Sequence, residues 1–379
     1  MDFNLSKEQK ILKDSARSFL KTECPTDFVR QMMEDPTGYT PELWRKMAEL
    51  DWISLLLPEK YDGLGADLSD FVLMLEEMGR ACLPGPFLST VLGALTILEG
   101  GDENQKSRYL PRVATGDLLL CLAFCEPGST QYQPTYVETK AVQRGEEFMI
   151  QGTKLFVSDA QVADYVICTA RTSGAGLSSR GISLFMIPKQ TVGLKMLPLK
   201  TIAGDKQFEV IMEDVIVPKE NLLGEFDQGW PIFEKILQIA ALAKCVEMVG
   251  GAQKVLEMTV DYAKNRVQFG KPIASFQAIQ HHCANMLLYV EGSRHITYKT
   301  ACLMDEGRSS KIRIATAKGW VSEAYKRVIA LGHQVGGGAA IMTEHDLTLY
   351  SRRAKAAEVA FGDAAYHRMV VASSLGIHE

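Results

Sequence analysis

The sequence predicts an α+β chain, mostly helical: an N-terminal helical domain (residues 1–117), a middle antiparallel β domain (118–223) and a C-terminal four-helix bundle (224–379). Three observations lead there. At 379 residues the chain exceeds the usual size of one domain, so more than one lobe is expected. Apolar residues recur at helical spacing before about Gly116 and again after Gly224. Between those points lie short strand-like runs divided by turn signals, too close together for the helices that parallel crossovers require.

The first helix opens at Ser6, whose spacing to Gln9 is that of a capping box with Leu5 at the staple position. Ile11, Leu12, Ala16, Phe19 and Leu20 then follow a helical stripe. Further helices are expected over Pro41–Leu50, Leu68–Ala81 and Phe87–Leu98, divided by Pro58, Gly63, Gly65, Pro84 and Pro86. The strand candidates are Phe148–Ile150, Lys154–Val157, Tyr165–Ala170, Ile182–Ile187 and Phe208–Val217, with turns at Gly145-Glu146 and Gly152-Thr153. Long helices return over Trp230–Asn265, Phe276–Glu306, Ser309–Gly332 and Asp346–Ser374.

A net charge of -5 and a pI near 5.9 exclude broad nucleic-acid binding, which needs a basic surface. The eight cysteines form no CxxC pair and read as reduced, mostly buried thiols. The polar start MDFNLSKEQK lacks a signal-peptide core and no apolar run is long enough to span a bilayer, so a cytoplasmic protein is expected. The seven histidines show no metal spacing; His281 and His282 are adjacent and so point to different helix faces. No metal is expected.

Several strings occur in an order that resembles the acyl-CoA dehydrogenase family. They are Tyr61-Asp62-Gly63-Leu64-Gly65, Glu76-Glu77-Met78-Gly79-Arg80, Gln105 to Pro111, Leu122 to Pro127, Lys154 to Asp159 and Arg266 to Ile273. The resemblance covers nearly the whole chain. It implies FAD as cofactor, an acyl-CoA thioester as substrate, an electron-transfer flavoprotein or similar acceptor, and a dimer or tetramer.

It also implies roles residue by residue. Phe124 and Cys125 match the first flavin-contact segment, where threonine is usual in place of Cys125; a thiol donates more weakly than a hydroxyl. The following Gly128-Ser129-Thr130-Gln131 is shorter than the family's loop. Phe156 and Ser158 match the second segment, one to cover the ring and the other to bond N5. Arg266, Gln268, Phe269 and Gln277 match a turn that reaches a neighbouring subunit's FAD, with arginine for the pyrophosphate. Gln334, Gly337 and Gly338 match the glycine segment that lets diphosphate approach bare backbone. Taken alone, each of these runs also reads as ordinary strand packing or a helix-ending loop.

The two places where the family keeps its base match Ala240 and Phe361, and neither carries a carboxylate. A positioned base contributes roughly 10²–10⁴-fold in rate, so its absence matters. Asp363 and Glu247 are the substitute candidates: the first needs a changed backbone path, and the second lies two helical turns, about 10 Å, from Ala240. Each also reads as an ordinary polar or paired surface group. The Phe361 backbone N–H keeps the role of bonding the thioester oxygen, and Ser89 or Thr90 would orient a polar substituent unless they serve the core. The leading expectation is an oxidoreductase of an unusual acyl-CoA (branched, cyclic or dicarboxylic) with a relocated base. The alternatives are a catalytically silent subunit that completes a heteromeric dehydrogenase with a paralogous chain, and a non-oxidative lyase-type reaction on the same fold.

Overall fold

A computed structural model describes residues 5–129, 132–308 and 311–377. Six helices come first: α1 (Lys7–Glu23), α2 (Thr26–Glu34), α3 (Pro41–Glu49), α4 (Leu68–Ala81), α5 (Phe87–Gly100) and α6 (Glu103–Ala114). Eight strands follow: β1 (Leu120–Ala123), β2 (Lys140–Arg144), β3 (Glu147–Ser158), β4 (Tyr165–Arg171), β5 (Ile182–Pro188), β6 (Leu194–Leu199), β7 (Gln207–Pro218) and β8 (Leu222–Leu223). Then come α7 (Gly229–Asn265), a small hairpin of β9 (Val267–Gln268) and β10 (Lys271–Pro272), α8 (Gln277–Asp305), α9 (Lys311–Gly336), α10 (Asp346–Val359) and α11 (Ala364–Ser374).

Helix ends follow local chemistry. Ser6 and Gln9 form the expected capping box of α1, and Asp102 and Gln105 form a second one on α6. Helices α2 and α6 lie outside the expected set, the latter because Pro111 sits within it. The helix expected over Asp346–Ser374 is two helices, because the chain turns at Phe361 and Gly362, both at positive φ (55° and 93°). Among the described residues the C-terminal part thus holds five helices rather than four. The helix expected from Ser309 begins outside the described residues.

The strands run β6-β7-β3-β2-β4-β5-β8, with β1 also on β4. The sheet is mixed, not purely antiparallel: β4 pairs in parallel with β1 over Tyr165–Cys168 and with β2 at Arg171. A parallel pair needs a long connection, and residues 124–164 supply one that contains the β2–β3 hairpin instead of a helix. The turn at Gly145-Glu146 is present, since Arg144 pairs with Glu147. No turn lies at Gly152-Thr153; β3 is continuous there, and its register with β7 shifts between Ile150 and Gly152 because β7 carries an extra residue between Met212 and Val215. A Cβ on Gly152 would stand 2.5 Å from Thr139 Oγ1, so glycine answers a close approach rather than a reversal.

The chain divides into two compact bodies. One comprises Met1–Arg30, Asp67–Leu83 and Ala240–Glu379, and is helical; the other comprises Gln31–Ala66 and Pro84–Ile239, and holds the sheet. In the sheet body, Phe148, Ile150, Val166, Phe185, Val210 and Val215 are among the buried core. In the helical body, α4 and α7 touch backbone to backbone. A Cβ on Gly250 would fall 1.9 Å from Glu76 O, and one on Gly79 would fall 2.4 Å from Glu247 Cα.

That crossing encloses two buried carboxylates. Glu77 takes both donors of Arg17 at 2.8 and 2.9 Å, while Glu76 is met by Lys13 at 3.1 Å, Arg294 at 3.2 Å and the Tyr298 hydroxyl. Burial alone would raise the Glu76 pKa, yet Lys13, Arg294 and Tyr298 outweigh it and hold the carboxyl below its ordinary 4.5. The Glu76 contribution is therefore complete above the ordinary value and is lost as pH falls through the lower folded one. Arg294→Met leaves Glu76 with Lys13 as its remaining cation and is expected to cost about 1–3 kcal/mol in denaturant unfolding, with acid unfolding shifted to higher pH.

Candidate functional site

In the sheet body, the two segments singled out from the sequence are bound to each other. Beyond β1, Cys125 and Leu155 form an antiparallel bridge in which Leu155 N donates to Cys125 O at 2.8 Å. Next to it, Glu126 accepts from Glu138 N at 2.6 Å, Thr139 N at 3.1 Å and Lys154 Nζ at 2.5 Å. Lys154 is wholly buried and also donates to Thr169 Oγ1 at 3.1 Å. The pair is fully hydrogen-bonded, the condition under which an ion pair is tolerated in an interior. Sequence reasoning quoted both residues but missed their pairing.

Beyond this pair the segments emerge at the surface. A second irregularity in the β3–β7 register, between Lys154 and Val157, brackets Phe156, which sits at φ 58° and is 59% exposed. A bulky side chain at positive φ is an outlier that surrounding structure must enforce. Ser158 is half-buried and pairs with Gln207 in the ladder. The half-buried Phe124 ring lies 5.5 Å from that of Phe233. Burial pushes the Cys125 thiol up to about 12, so it is a neutral donor rather than a nucleophile. Ser89 and Thr90 already have protein partners. Ser89 Oγ donates to Asp159 at 2.6 Å, bracing the residue after Ser158, and Thr90 Oγ1 accepts from Leu120 N at 3.3 Å. Of the shortened loop, Thr130 and Gln131 lie outside the described residues.

In the helical body, Arg266 to Ile273 form the β9–β10 hairpin. Its turn residues, Phe269 and Gly270, both have positive φ (55° and 78°), as a tight turn matched to strand twist requires. Ile273 N closes the hairpin onto Arg266 O at 2.8 Å. Phe269 is 90% exposed, Arg266 and Gln268 are exposed beside it, and the exposed Gln277 opens α8. Gln334 is exposed in the last turn of α9. Gly337 has φ 60°, and a Cβ added at Gly337 or Gly338 would meet nothing within 4 Å. Open space beside bare backbone, and a guanidinium on an exposed hairpin, fit an anionic group such as a diphosphate.

Ala240 is fully buried and Ala241 nearly so. Glu247 pairs with Lys244 at 2.6 Å. Phe361 stands at φ 55°, and its carbonyl accepts from His367 Nε2 at 3.0 Å. Asp363 is the N-cap of α11, accepting from Tyr366 N at 2.9 Å. The structure thus places Asp363 beside Phe361 but gives its carboxylate a capping partner.

Residues 6–117, 121–215 and 227–376 match the N-terminal, middle and C-terminal domains of acyl-CoA dehydrogenase, respectively. The cyclohex-1-ene-1-carbonyl-CoA dehydrogenase of Geobacter metallireducens is 32% identical over 98% of this chain and 99% of its own. Subunit CarC of the caffeyl-CoA reductase-Etf complex of Acetobacterium woodii is 30% identical, over 98% of each chain. The structure of a glutaryl-coenzyme A dehydrogenase with glutaryl-CoA superposes with a TM-score of 0.94 at 31% identity, covering 100% of this chain and 98% of that one. Matched from its first helix to its last by all three domains, the chain belongs to the acyl-CoA dehydrogenase family.

Proposed function

We propose that the chain holds FAD and transfers hydride between that flavin and an unusual acyl-CoA thioester (branched, cyclic or dicarboxylic), with a base outside the family's two customary positions. The observation that carries the reading is the corner at Phe361. Its backbone is held in a defined left-handed turn, while neither its side chain nor that of the buried Ala240 accepts a proton. Relatives named for a cyclic and an aryl acyl-CoA, and a structural neighbour holding a dicarboxylic one, support the choice of substrate class.

FAD, when bound, supplies the hydride acceptor. The chain's part is to bind and orient. Phe124, Cys125, Phe156 and Ser158 would meet the ring system. Arg266, Gln268, Phe269 and Gln277 on the hairpin, with Gln334, Gly337 and Gly338, would meet the diphosphate end of a neighbouring subunit's cofactor, which makes the working form at least a dimer. The Phe361 N–H would bond the thioester oxygen and acidify the carbon beside it. Ser89 and Thr90, committed to Asp159 and Leu120, would shape the acyl pocket through the position of α5. An electron-transfer flavoprotein is the expected redox partner, as the name of the caffeyl-CoA reductase-Etf subunit suggests.

One observation favours a second reading. Both spare carboxylates are committed, Asp363 to a helix cap and Glu247 to Lys244. A chain without any base would instead complete a heteromeric dehydrogenase beside a paralogous subunit.

The absorbance spectrum of protein expressed alone tests these readings. A flavin spectrum that bleaches with a branched, cyclic or dicarboxylic acyl-CoA is expected; colourless protein rescued only by a paralogue would establish the second reading. Phe361→Glu returns a carboxylate to a corner already built. It is expected to raise 2-enoyl-CoA formation from straight-chain thioesters by about 10²–10⁴-fold, and no gain would mean that this backbone does not face the thioester. Lys154→Met leaves Glu126 buried without its cation. A loss of about 3–5 kcal/mol in thermal or denaturant unfolding is expected, together with reduced flavin retention on gel filtration.

A further inference from the structure

The functional reading leaves Lys318 without a task, although it is among the most unusual side chains in the molecule. It is fully buried on α9. An ammonium in an apolar interior costs several kcal/mol unless it is partnered, so a lysine there must serve its partners. Those partners are the carbonyls of Ala357 (3.1 Å), Glu358 (2.8 Å) and Gly362 (2.9 Å), with Ser322 Oγ at 3.3 Å.

These carbonyls share a property. Ala357 and Glu358 lie in the last turn of α10, where carbonyls have no partner within the helix, and Gly362 lies just past its end. The end of a helix is also its negative pole, so a cation is favoured there twice over. Helices commonly close with a glycine that folds back its own amides. Here a side chain from a different helix does that work, with two carbonyls before Phe361 and one after it.

The corner between those carbonyls is strained. A phenylalanine at φ 55° carries a steric penalty that only surrounding structure can impose. Gly362 at φ 93° has no room for a Cβ, which would fall 2.6 Å from the Tyr366 ring and 2.9 Å from His367 Nε2. His367 closes the other side. Its Nε2 must carry the proton, because the Phe361 carbonyl can only accept. Burial holds this imidazole neutral, lowering its pKa to about 4, and leaves Nδ1 buried without a partner.

We infer that Lys318 is a positioning residue: its buried ammonium, with the His367 ring opposite, imposes the left-handed corner that fixes the direction of the Phe361 backbone toward the acyl thioester. The corner itself is read from the geometry above; only its service to a thioester rests on the proposed function.

The test is Lys318→Met in the full-length protein, with hydrogen exchange of the peptide spanning residues 357–367 and thioester affinity both measured. Exchange at residues 361–363 is expected to quicken by about tenfold or more, while the β3 and β7 peptides keep their protection. Affinity for a thioester that the unsubstituted protein binds is expected to fall by about tenfold with flavin content unchanged. Unaltered exchange overturns the clamp. Quickened exchange with undiminished affinity overturns the positioning role. Should the unsubstituted protein bind no thioester at all, the proposed function fails and the exchange result still decides the clamp. A readout that general destabilisation would not move comes from Phe361→Gly, since glycine takes positive φ without penalty. In that background the exchange effect of Lys318→Met should shrink to about threefold or less, and an undiminished effect counts against the inference. If Lys318→Met alone is insoluble, Lys318→Met/Phe361→Gly is expected to fold. An insoluble double variant means that Lys318 supports the whole bundle, which also overturns it.

Discussion

A charge placed in an apolar interior must be met by partners that do not move, and this constraint sets the backbone wherever the chain carries its distinctive residues. In the sheet body the Glu126–Lys154 pair joins the end of β1 to the middle of β3. Glu126 also collects the amides of Glu138 and Thr139, so the loop that returns to β2 is fixed by the same carboxylate. In the helical body Glu76 and Glu77 occupy the crossing of α4 and α7, where the absence of Cβ atoms at Gly79 and Gly250 lets the backbones touch. Removing either partner of such a pair strands a charge, and the resulting penalty exceeds what an exposed pair contributes. The strings that carry the family resemblance, Glu76 to Arg80 and Lys154 to Asp159, are thus partly statements about packing.

Much of the fold was legible because local chemistry announces it. Leu68–Ala81 is bounded as its apolar stripe requires, and the Ser6–Gln9 cap is the one its spacing describes. The misreadings share a cause: one residue type answers several geometries. Gly152 looks like a turn, yet its job is to avoid Thr139 inside a continuous strand. The break between α10 and α11 hides because the residues around it keep a helical composition, although Asp363 ahead of Ala364 is a cap signal in plain view. The parallel pairing of β1 with β4 was invisible, since the residues between them hold a hairpin where a helix is the usual bridge.

At the candidate site, resemblance assigns roles to residues but says nothing of their conformations. Phe156, Phe269 and Phe361 were each assigned a role from their strings, and each proves to stand at positive φ. The other non-glycine residues in that region among those described are aspartates and one cysteine, compact side chains that tolerate it better. Nothing in a single sequence marks an aromatic as left-handed, because the strain is imposed by groups distant along the chain: the bulged pairing with β7 for Phe156, and Lys318 and His367 for Phe361. The Glu126–Lys154 contact escaped for a related reason. Lys154 shares the buried face of β3 with Phe148 and Ile150, and nothing local marks Glu126, distant along the chain, as its partner.

This arrangement bears on how a corner of backbone can keep its shape whatever side chain it carries. If the conformation at position 361 depended on its own side chain, any substitution there would rebuild the corner. Instead the corner is held by Lys318 on the α10 carbonyls, by His367 on the Phe361 carbonyl and by Asp363 capping α11. None of those contacts touches the side chain at 361. Backbone placement and side-chain chemistry are therefore separable here: the side chain at 361 can change while the amide keeps its direction. The same holds at Ala240, where a methyl group sits on an uninterrupted helix whose path is fixed by the backbone contacts at Gly79 and Gly250. A fold that fixes its main chain through buried charge leaves the side chains at such positions free to change.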